Sequence, residues 1–233
     1  MNTNNLKRFA QQARRKLLEQ IAAKLEQVLL TDSAELREKA GALRKLQEEI
    51  NHTSKEQVID KVAYTWFNRL MALRFMDAND YQPLGVRIIT PKDGYTLPEI
   101  LDEAKQGQIP DELPVKPQHI YNLLDGKIPS TNAQNEAYKE LLIGACNHLN
   151  KVFPFLFERL NDYAELLLPV DLTSEFSIVQ DMREGMIQED CQQVEIIGWL
   201  YQFYISEKKD EVFASKSKVS KEDIPAATQL FTP

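Results

Sequence analysis

Between residues 5 and 30, apolar side chains at Leu6, Phe9, Ala13, Leu17, Ile21, Leu25, Val28 and Leu29 recur at steps of three and four. That spacing places them on one face of an α-helix, whereas a strand would scatter them over both of its faces. The stripe runs for about seven turns and predicts a long amphipathic helix.

The same period returns along the chain. Asp32 or Ser33 can cap a second helix to about Ile50, with Leu36, Ala40, Leu43 and Leu46 as its stripe, so the first two helices read as a hairpin. Ser54 to Gln57 forms a capping box, opening a third helix to about Asn79. That helix is apolar around more than half its circumference through Val62, Ala63, Trp66, Phe67, Leu70, Met71 and Leu73, which predicts the central core helix.

Residues 80–95 hold Pro83, Gly85, Pro91 and Gly94 around the short apolar run from Val86 to Ile89, which can pair as a strand or cross the surface. Thr96, Pro98 and Glu99 then supply a cap, a first-turn proline and an acid for a short helix ending before Gly107. Three prolines in residues 108–117 mark a connector. Helical patterns resume at 117–124, 132–152, 154–167 and 174–184, then strongly from Val194 to Tyr204. Residues 220–223 open a last turn.

With no tandem period, the expectation is a mainly α, non-repeating helical bundle with at most a minor β element around residues 80–95. It divides into helical subdomains at 1–107 and 118–214, joined by 108–117, with 215–233 as an outgoing linker. At 233 residues and 43% hydrophobic content, the chain can bury a real core. No apolar run is long enough to span a bilayer, and the N-terminus lacks the apolar segment of a signal peptide, so a cytoplasmic protein is expected.

Charge is unevenly divided. Residues 1–80 carry 14 Lys and Arg against 11 Asp and Glu, and residues 81–233 carry 14 against 24, giving +3 and −10. So acidic a chain is poorly suited to wrapping nucleic acid, and any DNA contact must be local. The basic cluster Lys7, Arg8, Arg14, Arg15 and Lys16 precedes the first acid, Glu19. It reads first as a solvated helix face and second as a set of DNA-backbone contacts.

Catalytic constellations are scarce. The eight glycines are isolated from one another, so neither glycine-rich phosphate cradle is present. His52, His119 and His148 stand far apart, with no metal-binding spacing. Glu103-Ala104-Lys105 and Glu207-Lys208-Lys209 match a short nuclease string but lie in helical, exposed-looking runs, where charged triplets are common. Cys146 and Cys191 read as buried thiols, and Trp66, Phe67 and Trp199 to Tyr204 read as core rather than base-stacking residues. No catalytic, cofactor-binding or metal-ligating residue is expected in the chain.

Residues 62–77 (VAYTWFNRLMALRFMD), 194–204 (VEIIGWLYQFY), 207–213 (EKKDEVF) and 221–233 (KEDIPAATQLFTP) resemble the PglX-like adenine-specific DNA methyltransferases of BREX systems. The resemblance covers essentially the whole chain as the helical region preceding a methyltransferase core. It implies a parent enzyme that transfers a methyl group from S-adenosylmethionine to adenine N6 of DNA for phage defence. DNA and other BREX defence proteins are the implied partners. Two family motifs are missing: the glycine-rich turn for the methionine moiety, and the Asn-Pro-Pro-Tyr/Phe loop that grips a flipped adenine; no Asn-Pro occurs in the sequence. The expectation is therefore a scaffold or docking element, inactive by itself. The alternatives are a self-contained protein-binding adaptor and a weak DNA-backbone-binding module.

Overall fold

The computed structural model describes residues 2–154, 156, 157 and 163–214. Among them are ten helices and no strand: α1 (Thr3–Leu30), α2 (Ala34–Glu38), α3 (Ala40–His52), α4 (Lys55–Ala78), α5 (Glu99–Lys105), α6 (Pro117–Leu124), α7 (Ala133–Leu149), α8 (Ile178–Gly185), α9 (Gln188–Cys191) and α10 (Glu195–Ala214). The mainly α, bundle-like fold is as expected from the periodicity.

α1 packs along α4 and α10, and α8 lies against α1. Of the residues that define its apolar stripe, Leu6, Phe9, Ala13, Leu17, Ile21, Leu25 and Val28 are buried, and Leu29 is half-buried. α4 is central: Trp66, Phe67, Leu70 and Leu73 are fully buried, and the Trp66 indole N–H donates to the Ala164 carbonyl at 3.0 Å. An aromatic seam of Phe9, Phe67, Tyr64, Tyr201 and Tyr204 joins α1, α4 and α10, with the Phe67 and Tyr204 ring centroids 4.3 Å apart. Trp199 stacks on Phe203. Trp66, Phe67 and Tyr204 are core residues, in line with the sequence reading, whereas Trp199, Tyr201 and Phe203 are only half-buried. Core residues from Leu6 to Tyr204 belong to one buried cluster.

Helix ends follow local chemistry. The Ser54 hydroxyl accepts from the Gln57 N–H at 3.2 Å, Asn132 caps α7 through Asn135 N–H, and Ser177 caps α8 through Gln180 N–H. Four expectations change, the first being that the helix expected at 174–184 starts only at Ile178, after its cap Ser177. The second helix breaks at Lys39, although Ser33 does cap its first part, and Ala40 is exposed instead of completing a stripe. α5 begins at Glu99 with Pro98, rather than Thr96, at its cap position. The helix expected at 154–167 is absent in its described residues, which form turns, and its middle lies outside them. The turn expected at residues 220–223 and the linker 215–233 also lie outside the described residues.

Residues 80–95 cross the molecule without a partner strand; the Arg87 and Thr90 carbonyls accept from the Ile100 and Glu99 N–H groups at the start of α5, and side chains satisfy the backbone groups between them. Asp77, at the end of α4 and 2% exposed, accepts from the N–H groups of Ile88 (3.0 Å), Ile89 (2.7 Å) and Thr90 (2.8 Å), and from the Gln82 side chain (2.7 Å). The Tyr138 hydroxyl donates to the Ile88 carbonyl at 3.0 Å, and Arg183 Nε donates to the Ile89 carbonyl at 2.7 Å. One carboxylate and two donors thus do for this segment what a neighbouring strand would do. Burial pushes the Asp77 carboxyl above its ordinary range, while the three backbone N–H groups and Gln82 oppose that shift.

Candidate functional site

The five basic residues of α1 have different environments. Lys7 and Arg8 are exposed near its start, and the first turn holds no acidic residue. Arg14 is only 5% exposed. Its guanidinium lies 3.6 Å from Asp60 of α4 and 3.6 Å from Glu207 of α10. Arg15 is exposed but makes a two-point contact with the same Glu207. Lys16 pairs with Asp181 of α8 at 2.6 Å. Three of the five cations therefore hold helices together. Arg14 in particular is an internal ion-pair residue rather than part of a surface, because α4 and α10 bring carboxylates to a position that α1 alone shows as one more basic residue.

Beside these residues, α1 and the α8–α9 segment enclose an open groove of about 470 Å³. It is lined by Leu6, Phe9 and Ala13, with Arg8 and Lys16 on the α1 side and Asp181 and Glu184 on the α8 side. Phe9 lies so close to Gly185 that a Cβ there would sit 2.2 Å from the ring. That contact lets α8 approach α1. A smaller recess of about 230 Å³ near Asp80, Arg87 and Glu99 opens over the Asp77 anchor.

Neither recess assembles a nucleophile, a base and an electrostatic stabiliser. The two nuclease-like triplets are used structurally: Glu103 pairs with Lys92 at 2.6 Å, and Glu207 joins α10 to α1. Among the described residues, no group of three or more His, Cys, Asp and Glu side chains could hold a metal ion. No helix among them is long and apolar enough to cross a membrane. Cys146 and Cys191 are buried and free, and burial pushes the Cys146 thiol up to about 12, the inert condition expected of core thiols. The Asp77 anchor is not legible as a site in the sequence. The only signal is an isolated acid at the end of a run that is otherwise apolar or basic, from Leu70 to Ala78.

With no catalytic geometry among the described residues, the strongest functional signal is kinship. The chain is related over its full length to the N-terminal part of the adenine-specific methyltransferases of BREX systems. It is 37% identical to the adenine-specific methyltransferase BrxX of Escherichia coli O9:H4 (strain HS) over an alignment of 258 residues. It is 36% identical to the adenine-specific methyltransferase PglX of Lacticaseibacillus casei (strain Zhang) over 274 residues. All of the chain aligns in both cases, with 21% and 22% of those proteins, so it spans about a fifth of the length of the curated relatives it matches. No protein-family profile matches the chain.

Proposed function

We propose that the chain is the N-terminal helical domain of a site-specific DNA adenine-N6 methyltransferase of a BREX phage-defence system, and that it serves as a scaffold and docking element without catalytic groups of its own. The observation that carries this reading is the identity of more than a third, over the whole chain, to two proteins named as adenine-specific methyltransferases. In this reading S-adenosylmethionine is held by the remainder of the polypeptide, DNA is the substrate of the whole enzyme, other BREX proteins are partners, and the assembly works in the cytoplasm. Residues 1–107 and 118–214 act as two helical parts joined by 108–117, sharing one core, and 215–233 lead towards the methyltransferase fold.

The test is transfer of a radiolabelled methyl group from S-adenosylmethionine to DNA by this chain and by the product of the complete reading frame. Methylation by the longer protein alone is the expected result. Methylation by this chain alone, or inactivity of the longer protein, overturns the proposal.

A subsidiary role in touching the DNA backbone is supported by one observation: Lys7 and Arg8 are exposed near the start of a 28-residue helix whose first turn has no acid. The positive end of the helix dipole adds to their field.

A further inference from the structure

Two Asp-Gly pairs occur in the sequence, Asp93-Gly94 and Asp125-Gly126. Such a pair can close on itself, because glycine carries no side chain to hinder attack by its amide nitrogen on the preceding side-chain carboxyl. Both pairs are exposed, and both glycines have positive φ, +81° at Gly94 and +71° at Gly126. The fold nevertheless treats them differently. At the second pair both reacting groups are engaged: the Gly126 N–H donates to the Leu123 carbonyl at 3.0 Å, and the Asp125 carboxylate accepts from Lys127 at 2.7 Å.

At the first pair they are not. Gly94 is the third residue of a β-turn closed by the Tyr95 N–H on the Lys92 carbonyl at 3.0 Å, and its φ is close to that of a type II turn. Among the described residues, neither the Gly94 N–H nor the Asp93 carboxylate has a partner. The adjacent cation, Lys92, is drawn instead to Glu103 at 2.6 Å. Apart from its chain neighbours, no heavy atom lies within 4 Å of where a Cβ on Gly94 would stand, so a ring has room to close there.

We infer that Asp93-Gly94 is a site of spontaneous backbone isomerisation in the folded protein, and that Asp125-Gly126 is protected by its hydrogen bonds. The Gly94 nitrogen attacks the side-chain carboxyl carbon of Asp93. A C–N bond forms, the carboxyl hydroxyl leaves with the amide proton as water, and a five-membered imide results. Water then opens the ring. Cleavage at the side-chain carbonyl restores aspartate; cleavage at the main-chain carbonyl leaves isoaspartate, with the backbone running through the Asp93 methylene. Water is the sole co-reactant. The surrounding fold confines the change: the Glu99 N–H donates to the Thr90 carbonyl at 3.0 Å, so residues 91–98 form a loop whose ends are held together. Within it, the turn bond between Lys92 and Tyr95 and the 2.9 Å contact of Arg183 with the Thr96 carbonyl are displaced.

The inference is independent of the methyltransferase reading. Its test incubates this chain for several weeks at neutral pH in water enriched in heavy oxygen, both native and unfolded in urea. Each ring opening installs one heavy oxygen, which peptide mass follows at residues 93 and 125; isoaspartate shows as a peptide of equal mass and shifted elution. In urea the two pairs should react at similar rates. In the native chain the ratio of uptake at 93 to uptake at 125 should exceed its value in urea by at least about fivefold, the factor that breaking one hydrogen bond at Gly126 corresponds to. A smaller increase overturns the inference, and so does the absence of isoaspartate at residue 93 in the native chain.

Discussion

Replacing Asp77 by Ala leaves the amides of Ile88, Ile89 and Thr90 without their acceptor. At about 1–3 kcal/mol for each of the three buried groups left unpaired, the expected loss is at least about 3 kcal/mol, measured by urea denaturation, with the faster hydrogen exchange confined first to residues 88–90. Asp77→Asn should cost less, since its carbonyl oxygen still accepts. Gly185→Ala puts a methyl group into the Phe9 ring. Overpacking of this kind costs about 1–3 kcal/mol, and Phe9→Leu in the same protein should recover part of it; an additive double-mutant cycle would contradict the contact. Neither residue can be read this way from the sequence. Gly185 is one isolated glycine among eight, and its meaning depends on an aromatic ring contributed by α1. The burial of Cys146 is legible because its neighbours in α7 are apolar on the helical period.

At the scale of elements, Lys61 of α4 and Glu49 of α3 form an ion pair of 2.8 Å. The hydrogen bond from Lys61 is the main cause holding Glu49 below its ordinary range, and the same bond raises Lys61 to about 12. A depressed carboxylate stabilises the fold above its unfolded range and loses that contribution as pH falls through its folded value. A raised amine contributes below its unfolded value and loses it as pH rises through about 12. The pair should therefore stabilise the α3–α4 packing at neutral pH and fade below about pH 4. Its exposure limits the coupling to about 0.2–1 kcal/mol, which a double-mutant cycle at neutral pH and again in acid would measure. The long helices are legible because one face of each is apolar for many turns. The break at Lys39 is not, because the residues around it continue an acceptable helical pattern. Residues 80–95 are ambiguous for a different reason: the partners of the apolar run come from α4, α5, α7 and α8, so no local signal separates this crossing from a strand.

For the whole molecule, the basic character of α1 overstates what is available to DNA, since Arg14 and Lys16 are engaged with carboxylates from other helices. Under the subsidiary role, binding of duplex DNA by this chain should weaken steeply with salt. Lys7→Ala with Arg8→Ala should reduce the log–log salt slope by about 2, at roughly 0.9 per phosphate contact, in fluorescence anisotropy titrations. An unchanged slope would remove the role. The side-chain cage around Ile88 and Ile89 has a further consequence during synthesis. Tyr138 follows Ile88 by 50 residues and Arg183 follows Ile89 by 94. At about 5–20 residues per second, the ribosome releases the apolar run from Val86 to Ile89 on the order of 5 to 20 s before its last partner exists. For that interval the run is an unprotected, strand-prone stretch of nascent chain, open to chaperones and to neighbouring copies emerging from the same message.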